Sequence, residues 1–244
     1  MKIAVFGSSG RMGMEVCRAL SDTPDLELVA GIDVGDSRDA ALEADVAVDF
    51  THPDSVLDNI SWCVQHGISV VVGTTGFTPE RLDLVRGMLG PDPEVGVMIA
   101  PNFAIGAVLM MYFAKVAAPY FDAAEIIEAH HTGKADAPSG TAANTARMIA
   151  EARELAGAGA MPDATTHQVE GARGAQIEGV HVHSVRLPGL IAQQEVRLAS
   201  AGETLTIVND ARSRSCYMPG VLRGIAWVAT HKGLTVGLEP VLGI

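Results

Sequence analysis

The chain has 244 residues, of which 48% are apolar, and its 29 acidic and 17 basic side chains give a formal net charge of −12. This length allows one large domain or two smaller ones with a buried core, and the acidic balance argues against nucleic acid or an anionic membrane as the main partner. The three cysteines, Cys17, Cys63 and Cys216, are widely spaced, which predicts free thiols in a reducing compartment.

Short apolar runs alternate with helical patterns over the first hundred residues. Strands are predicted at residues 3–6, 26–32, 46–50, 69–72 and 95–99, and helices at residues 11–20, 53–66 and 79–88. Strands that alternate with helices favour a parallel sheet with right-handed crossovers. Ligands on such sheets bind beside the carboxyl ends of the strands, so the loops after these strands are the candidate binding region.

The pattern changes after residue 102. Residues 103–120 are mostly apolar, but Gly106, Lys115 and Pro119 interrupt them. The uninterrupted run is therefore shorter than the ~20 residues that a membrane span needs, and a buried helix is the preferred interpretation. Because residues 1–7 run directly into a strand pattern, we also expect no signal peptide and a cytoplasmic location.

Four more strands are predicted in the second half, at residues 124–130, 181–186, 193–199 and 204–209, with a helix at 141–155. Strands without helices between them favour an antiparallel or mixed sheet. A last helix, from residue 219 to residue 233, is expected to fold back onto the first domain.

A glycine-rich turn, Gly7-Ser8-Ser9-Gly10-Arg11-Met12-Gly13, joins the first predicted strand to the first helix. Glycines at such a turn let the backbone approach a pyrophosphate, and the helix N-terminus offers unpaired N–H groups to it. The spacing is Gly-x-x-Gly-x-x-Gly, and a turn without a ligand is the alternative. Asp33 closes the second strand about 20 residues further on, where a ribose-binding acid belongs.

These features predict an α/β protein with two domains. The first is a Rossmann-type dinucleotide-binding domain with a parallel sheet, formed by residues 1–101 and 214–244. The second is an α+β domain with a mixed or antiparallel sheet, formed by residues 102–213, for substrate binding.

Asp33 also bears on the choice of cofactor. A carboxylate accepts hydrogen bonds from a free ribose 2′-hydroxyl and repels a 2′-phosphate, and Val34 leaves no arginine directly beside the acid. NADH is therefore favoured. NADPH is the alternative, because Arg11 and Arg38 offer positive charge to its 2′-phosphate.

Two imidazoles and one ammonium lie within five residues, at His130, His131 and Lys134. Alternation along the preceding strand places Glu128 and His130 on one face. An acid beside an imidazole is expected to raise its pKa and to keep it available as a proton donor. The alternative is an ordinary polar loop.

A helix start follows this segment. Ser139 or a neighbour is a candidate cap, which leaves the N–H groups of Gly140 and Thr141 as an anion site. Together with the cations before it, this helix start predicts binding of a carboxylated substrate. His181 and His183 share one strand face but lack the further ligands of a metal site, so no metal is predicted.

The segment Glu-Ile-Ile-Glu-Ala-His-His-x-x-Lys-x-Asp-Ala-Pro-Ser-Gly-Thr-Ala, at residues 125–142, resembles the signature of the dihydrodipicolinate (4-hydroxy-tetrahydrodipicolinate) reductase family of diaminopimelate and lysine biosynthesis. Further matches lie in the glycine turn and at residues 73–77 and 100–103. The resemblance spans essentially the whole chain.

This resemblance implies NAD(P)H-dependent reduction of a small cyclic dicarboxylate by a homotetramer built on the sheet of the second domain. His130 is then the acid/base residue and Lys134 the proton donor. The residues implied to hold the substrate carboxylates are His131, Lys134, Gly140 and Thr141. Those implied to line the dinucleotide are Gly7, Ser8, Ser9, Gly10, Arg11, Met12, Asp33, Gly73, Thr74, Thr75, Ala100, Pro101, Asn102 and Phe103.

Two other functions remain open from the residues alone. Another two-domain dehydrogenase, acting on aspartate or homoserine, would share the glycine turn but not the histidine and lysine segment. A dinucleotide-sensing regulator would bind NADH without turnover, although the chain lacks a basic helix-turn-helix segment.

Overall fold

The computed structural model describes all 244 residues, and the chain divides into two compact units. Unit 1 comprises Met1–Ile105 and Arg214–Ile244, and unit 2 comprises Gly106–Ser213. None of the helices combines the length and the apolar character that a membrane crossing requires.

Unit 1 is built on a six-stranded parallel sheet. Its strands are β1 (Lys2–Phe6), β2 (Glu27–Ile32), β3 (Val46–Asp49), β4 (Ser69–Val72), β5 (Gly96–Ile99) and β11 (Gly233–Val236). Their order across the sheet is β11-β5-β4-β3-β1-β2, and every pairing is parallel. All residues of β3, β4 and β5 are buried, as expected for a parallel sheet with both faces covered.

Five helices belong to unit 1: α1 (Arg11–Ser21), α2 (Val56–Gln65), α3 (Pro79–Leu89), α6 (Met218–Val228) and α7 (Glu239–Leu242). The helix predicted from residue 53 begins only at Val56, because the N–H groups of Ser55 and Val56 both donate to the carbonyl oxygen of His52 and form a turn there. The start of α3 matches its sequence signals, since Thr78 caps it and Pro79 is its first residue.

Unit 2 contains a mixed sheet, as predicted, but with five strands instead of the four expected, because a short strand at Ala175–Ile177 was not foreseen. Its elements are α4 (Ile105–Ala117), which starts at the last residue of unit 1, β6 (Ala123–His130), α5 (Gly140–Leu155), β7 (Ala175–Ile177), β8 (Val180–Arg186), β9 (Ala192–Ser200) and β10 (Glu203–Ala211). The strand order is β10-β9-β6-β8-β7, and only β6 and β8 run parallel. Helix α5 packs on β6 and β8, with Ile126, Ile149, Val182 and Leu198 buried.

The C-terminal tail returns to unit 1, which confirms that prediction, but the single helix predicted through residue 233 is wrong beyond Val228. Helix α6 ends there, and β11 follows as the sixth strand beside β5. A close backbone approach accompanies this turn, since a Cβ on Gly96 would lie 2.2 Å from the carbonyl oxygen of His231. A four-residue strand is too short to stand out in a sequence pattern.

Candidate active site

The glycine turn between β1 and α1 has the geometry of a close helix–strand junction. Gly7 has a φ of +77°, and its N–H donates to the carbonyl oxygen of Ile32 at 2.7 Å. A Cβ on Gly13 would lie 2.0 Å from the carbonyl oxygen of Gly7, so only glycine fits there. Gly10 precedes the helix, and no side chain caps its first N–H groups. An anionic group therefore fits this helix start.

Asp33 lies directly beside this turn, at the end of β2. Its Oδ2 accepts hydrogen bonds from Ser8 Oγ at 2.7 Å, from the Ser9 N–H at 2.9 Å and from Ser9 Oγ at 2.6 Å. The hydrogen bond from Ser9 is the main reason why the pKa of Asp33 lies below its usual value. An ionised acceptor thus faces the glycine turn, in the position expected of a ribose-binding acid.

Asp49, which was not foreseen from the sequence, ends β3 and is fully buried. Its Oδ1 accepts from the Thr51 N–H (3.0 Å), Thr51 Oγ1 (2.8 Å) and Thr74 Oγ1 (2.8 Å), and its Oδ2 accepts from Asn59 Nδ2 (2.8 Å). Asn59 Oδ1 in turn accepts from Arg38 Nε at 2.9 Å. One buried carboxylate thereby ties the loop after β3 to the loop after β4. The sequence signal for Asp49 is an acid at the end of an otherwise apolar strand.

The loops after β4 and β5 carry the remaining residues predicted to line the dinucleotide. A Cβ on Gly73 would fall 2.0 Å from the ring of Phe50, which requires glycine at that position. Phe50 also packs against Phe103, with ring centroids 6.0 Å apart, and Asn102 Oδ1 accepts from the Ala104 N–H at 2.9 Å. Because all six strands run parallel, these loops and the glycine turn lie at one edge of the sheet.

In unit 2, His130 contacts a buried acid. Its Nδ1 lies 2.5 Å from Oε2 of Glu128, whose side chain is 0% exposed. Arg186 of β8 donates to both carboxylate oxygens, at 2.8 and 2.9 Å, and the Ser139 N–H donates to Oε1 at 3.2 Å. The predicted placement of Glu128 and His130 on one face is confirmed. Arg186 was not foreseen.

The expected raised pKa of His130 is wrong. Burial of the imidazole lowers its pKa, and the nearby cations Lys134 and Arg186 lower it further, which together outweigh the opposing effect of Glu128. Burial alone would raise the pKa of Glu128, but its hydrogen bonds, led by that from Arg186, hold it below the usual value. The imidazole is therefore neutral near pH 7. With Nδ1–H assigned as the donor to Glu128, its Nε2 is an acceptor.

Between β6 and α5, a short loop brings Lys134 to the start of the helix. Ser139 caps α5 by accepting from the Ala142 N–H at 3.1 Å, as predicted. Lys134 Nζ lies 2.7 Å from Oδ1 of Asp136, and the pKa of that carboxyl is lowered chiefly by Lys134 and slightly by the N–H of Gly140. The loop therefore places an ammonium and a helix N-terminus beside the Asp136 carboxylate.

The four residues predicted to hold the substrate carboxylates all lie in this one segment. His131, Lys134 and Thr141 are half-buried, whereas Gly140 is exposed, with open space where a Cβ would lie. The Lys134 N–H donates to the carbonyl oxygen of His131 at 3.2 Å, so both belong to one turn. No group of histidine, cysteine and acidic side chains forms a metal-binding cluster.

Comparison with known proteins covers both units. Family models for the N-terminus and the C-terminus of dihydrodipicolinate reductase match residues 1–103 and 106–242. The chain belongs to the dihydrodipicolinate reductase family. It is therefore an oxidoreductase, and the resemblance seen in the sequence is confirmed.

Curated relatives extend along the full chain. The 4-hydroxy-tetrahydrodipicolinate reductase of Cutibacterium acnes is 56% identical over all of this chain and 99% of its own length, and that of Thermobifida fusca is 59% identical over the whole of both. A structure of dipicolinate-bound dihydrodipicolinate reductase from Paenisporosarcina sp. TG-14 is 36% identical, covers 98% of each chain and superposes with a TM-score of 0.86. This match confirms the fold class.

Proposed function

We propose that the chain catalyses the NAD(P)H-dependent reduction of 4-hydroxy-tetrahydrodipicolinate to tetrahydrodipicolinate in diaminopimelate and lysine biosynthesis. The observation that carries the proposal is the family match over both units, together with the signature residues His130, His131 and Lys134 gathered before α5. In this proposal residues 1–101 and 214–244 bind the dinucleotide, and residues 102–213 bind the substrate.

The substrate carboxylates bind to His131, Lys134 and the first N–H groups of α5, those of Gly140 and Thr141. A protein with a net charge of −12 needs a locally cationic site to attract a dianion. The Lys134 ammonium and the helix N-terminus supply it, and the contacts that they make to Asp136 support their capacity to bind a carboxylate.

Lys134 delivers the proton in this proposal, and His130 assists it as the acid/base residue. When bound, NADH or NADPH supplies the hydride. Loss of the substrate hydroxyl as water leaves an unsaturated ring, and the Lys134 ammonium gives a proton to the ring atom beside the one that takes the hydride. His130 is poorly suited to be the first donor, because its lowered pKa leaves it neutral near pH 7. Its Nε2 is instead available to accept a proton.

Fourteen residues, at the edge of the unit 1 sheet, are proposed to line the dinucleotide: Gly7, Ser8, Ser9, Gly10, Arg11, Met12, Asp33, Gly73, Thr74, Thr75, Ala100, Pro101, Asn102 and Phe103. The pyrophosphate fits the start of α1, where no side chain caps the helix. Asp33 accepts the ribose hydroxyls, which favours NADH. Arg38 Nε donates to Asn59 Oδ1. The positive charge of Arg38 attracts the 2′-phosphate of NADPH, so NADPH is accepted as the weaker cofactor in this proposal.

We also infer a homotetramer, assembled through the sheet of unit 2, and a cytoplasmic location. The family resemblance supports both. Light scattering of the purified protein tests the assembly: a mass four times that of one chain is expected, and the mass of a single chain would contradict it.

The reaction is tested by following NADH oxidation by absorbance, with the substrate generated in situ from pyruvate and aspartate semialdehyde by the preceding synthase. Turnover that requires the synthase is expected, with a lower rate for NADPH. Omitting the synthase provides the control. Tight NADH binding without any turnover would contradict the proposal and would favour a dinucleotide-sensing role.

A further inference from the structure

Asp136 lies in the candidate substrate site, although neither the signature roles nor the proposed mechanism uses it. Its carboxylate lies 2.7 Å from Lys134 Nζ, and the N–H of Gly140 at the start of α5 is close enough to lower its pKa. Both donors are ones proposed to hold a substrate carboxylate. We propose that Asp136 is an internal competitor that the substrate carboxylate displaces from Lys134 and from the start of α5, and that it thereby sets the substrate affinity. This inference rests on the proposed function.

The surroundings of Asp136 allow its side chain to leave while its backbone stays. Arg186 donates to the Asp136 carbonyl oxygen at 2.7 Å, and this anchor fixes the main chain. The Asp136 side chain is 54% exposed, whereas that of its partner Lys134 is only 22% exposed. A carboxylate already half in water loses little on rotating into it, while the less exposed ammonium remains in the site.

Charge makes simultaneous occupancy unfavourable. The pKa of Asp136 lies below its usual range, chiefly because Lys134 donates to it, so the competitor is ionised at neutral pH. The substrate brings two further carboxylates. Arg186 is already paired with Glu128 and cannot neutralise them. Two carboxylates on one ammonium repel each other, so a substrate carboxylate gains its full contact with Lys134 only when Asp136 moves away.

The opposite role for Asp136 would be to orient Lys134 for the substrate. The two roles differ in sign. If Asp136 competes, removing its charge tightens dicarboxylate binding. If Asp136 orients Lys134, the same change weakens binding. A partly exposed ion pair and a helix N-terminus each contribute modestly to the binding free energy of a carboxylate. Removing the charge of Asp136 is therefore expected to raise the affinity for a dicarboxylate by about three- to tenfold.

The experiment measures binding of pyridine-2,6-dicarboxylate by titration calorimetry in the presence of NADH. The wild type is compared with Asp136→Asn and Asp136→Ala, and with each combined with Lys134→Ala. Glu178→Gln is the matched control, since it also removes one acid, from an exposed pair with Arg147 at 4.0 Å in the same unit. Thermal unfolding checks that each variant folds.

Tighter binding in both Asp136 variants, no change in Glu178→Gln and a smaller gain in the Lys134→Ala background are expected. Unchanged or weaker binding in folded Asp136 variants would overturn the inference while leaving the proposed function intact, provided that the wild type turns over substrate. Absence of wild-type turnover would remove the proposed function, and with it this inference.

Discussion

Arg186 binds both carboxylate oxygens of Glu128, at 2.8 and 2.9 Å, and so neutralises the acid that His130 contacts. The parallel pairing of β6 with β8 sets this arrangement, because His130 lies opposite Arg186 and Glu128 lies opposite Ser184 in the register. The histidine therefore faces an ion pair rather than a lone carboxylate. Burial of the imidazole is the main reason why the pKa of His130 is lowered, and the charge of Arg186 adds to the effects that outweigh the raising effect of Glu128.

Replacing Arg186 tests how strongly the fold depends on this pair. Arg186→Met leaves the fully buried Glu128 without its cation, and the free energy of unfolding should fall by about 3–5 kcal/mol. Urea denaturation measures the change. Arg147→Met is the control, because its partner Glu178 is exposed and 4.0 Å away, and it should cost less than about 1 kcal/mol. Equal losses in the two variants would contradict the account.

The pKa of His130 gives a second prediction. NMR titration of the imidazoles, assigned with His130→Gln, should give a midpoint for His130 below 6.5, and Arg186→Met should move that midpoint upward, because Arg186 lowers this pKa. The folded protein then binds fewer protons than the unfolded chain below pH ~6.5. The stability contributed by the neutral imidazole is thus present above that pH and is lost as pH falls toward the folded-state pKa. A midpoint above 6.5 would contradict the structure.

Asp49 provides a third prediction, because it joins two loops of the proposed dinucleotide site. In Asp49→Asn, an NH2 group placed at Oδ2 would face the NH2 group of Asn59, so two donors would meet. Asn59 cannot rotate its amide to offer the oxygen instead, because that oxygen already accepts a hydrogen bond from Arg38. The free energy of unfolding should fall by about 1–3 kcal/mol. NADH should also bind more weakly, which fluorescence measures. Ser69→Ala is the control: it removes a buried hydrogen bond from Gly96 at the opposite end of β4, and it should leave NADH affinity unchanged. Equal NADH affinities of Asp49→Asn and the wild type would reduce Asp49 to a purely structural role.

The proposed preference for NADH depends on Asp33. Asp33→Asn removes the charge proposed to accept ribose hydroxyls and to repel a 2′-phosphate, so the ratio of kcat/KM for NADH to that for NADPH should fall by roughly tenfold or more. Asp36→Asn removes a neighbouring charge, and it should leave the ratio near that of the wild type. A ratio unaffected by Asp33→Asn would assign cofactor selection to other residues.

Local patterns were enough to predict the parallel sheet, the second mixed sheet, the glycine turn and the Ser139 cap. Each depends on residues that are close in the sequence, such as an alternation, a turn or a helix start. The same reasoning placed Glu128 beside His130, because alternate residues of one strand share a face.

The features that escaped prediction depend on contacts between distant residues. Arg186 is 58 residues from Glu128, and only the register of β6 with β8 joins them. Thr74 is 25 residues from Asp49, on a neighbouring strand end. The error in the pKa of His130 has the same origin, since the prediction included the local acid but neither the burial of the imidazole nor the distant arginine.

The most direct measurement is single-turnover oxidation of bound NADH by Lys134→Ala, with substrate supplied by the synthase. Loss of the proposed proton donor should lower the rate by roughly 10²–10⁴-fold. NADH binding should stay unchanged, because Lys134 lies in unit 2 and the proposed dinucleotide loops lie in unit 1. Lys232→Ala, an exposed lysine in the loop before β11, should retain the wild-type rate. A Lys134→Ala rate within about threefold of the wild type would contradict the assignment of Lys134 as the proton donor.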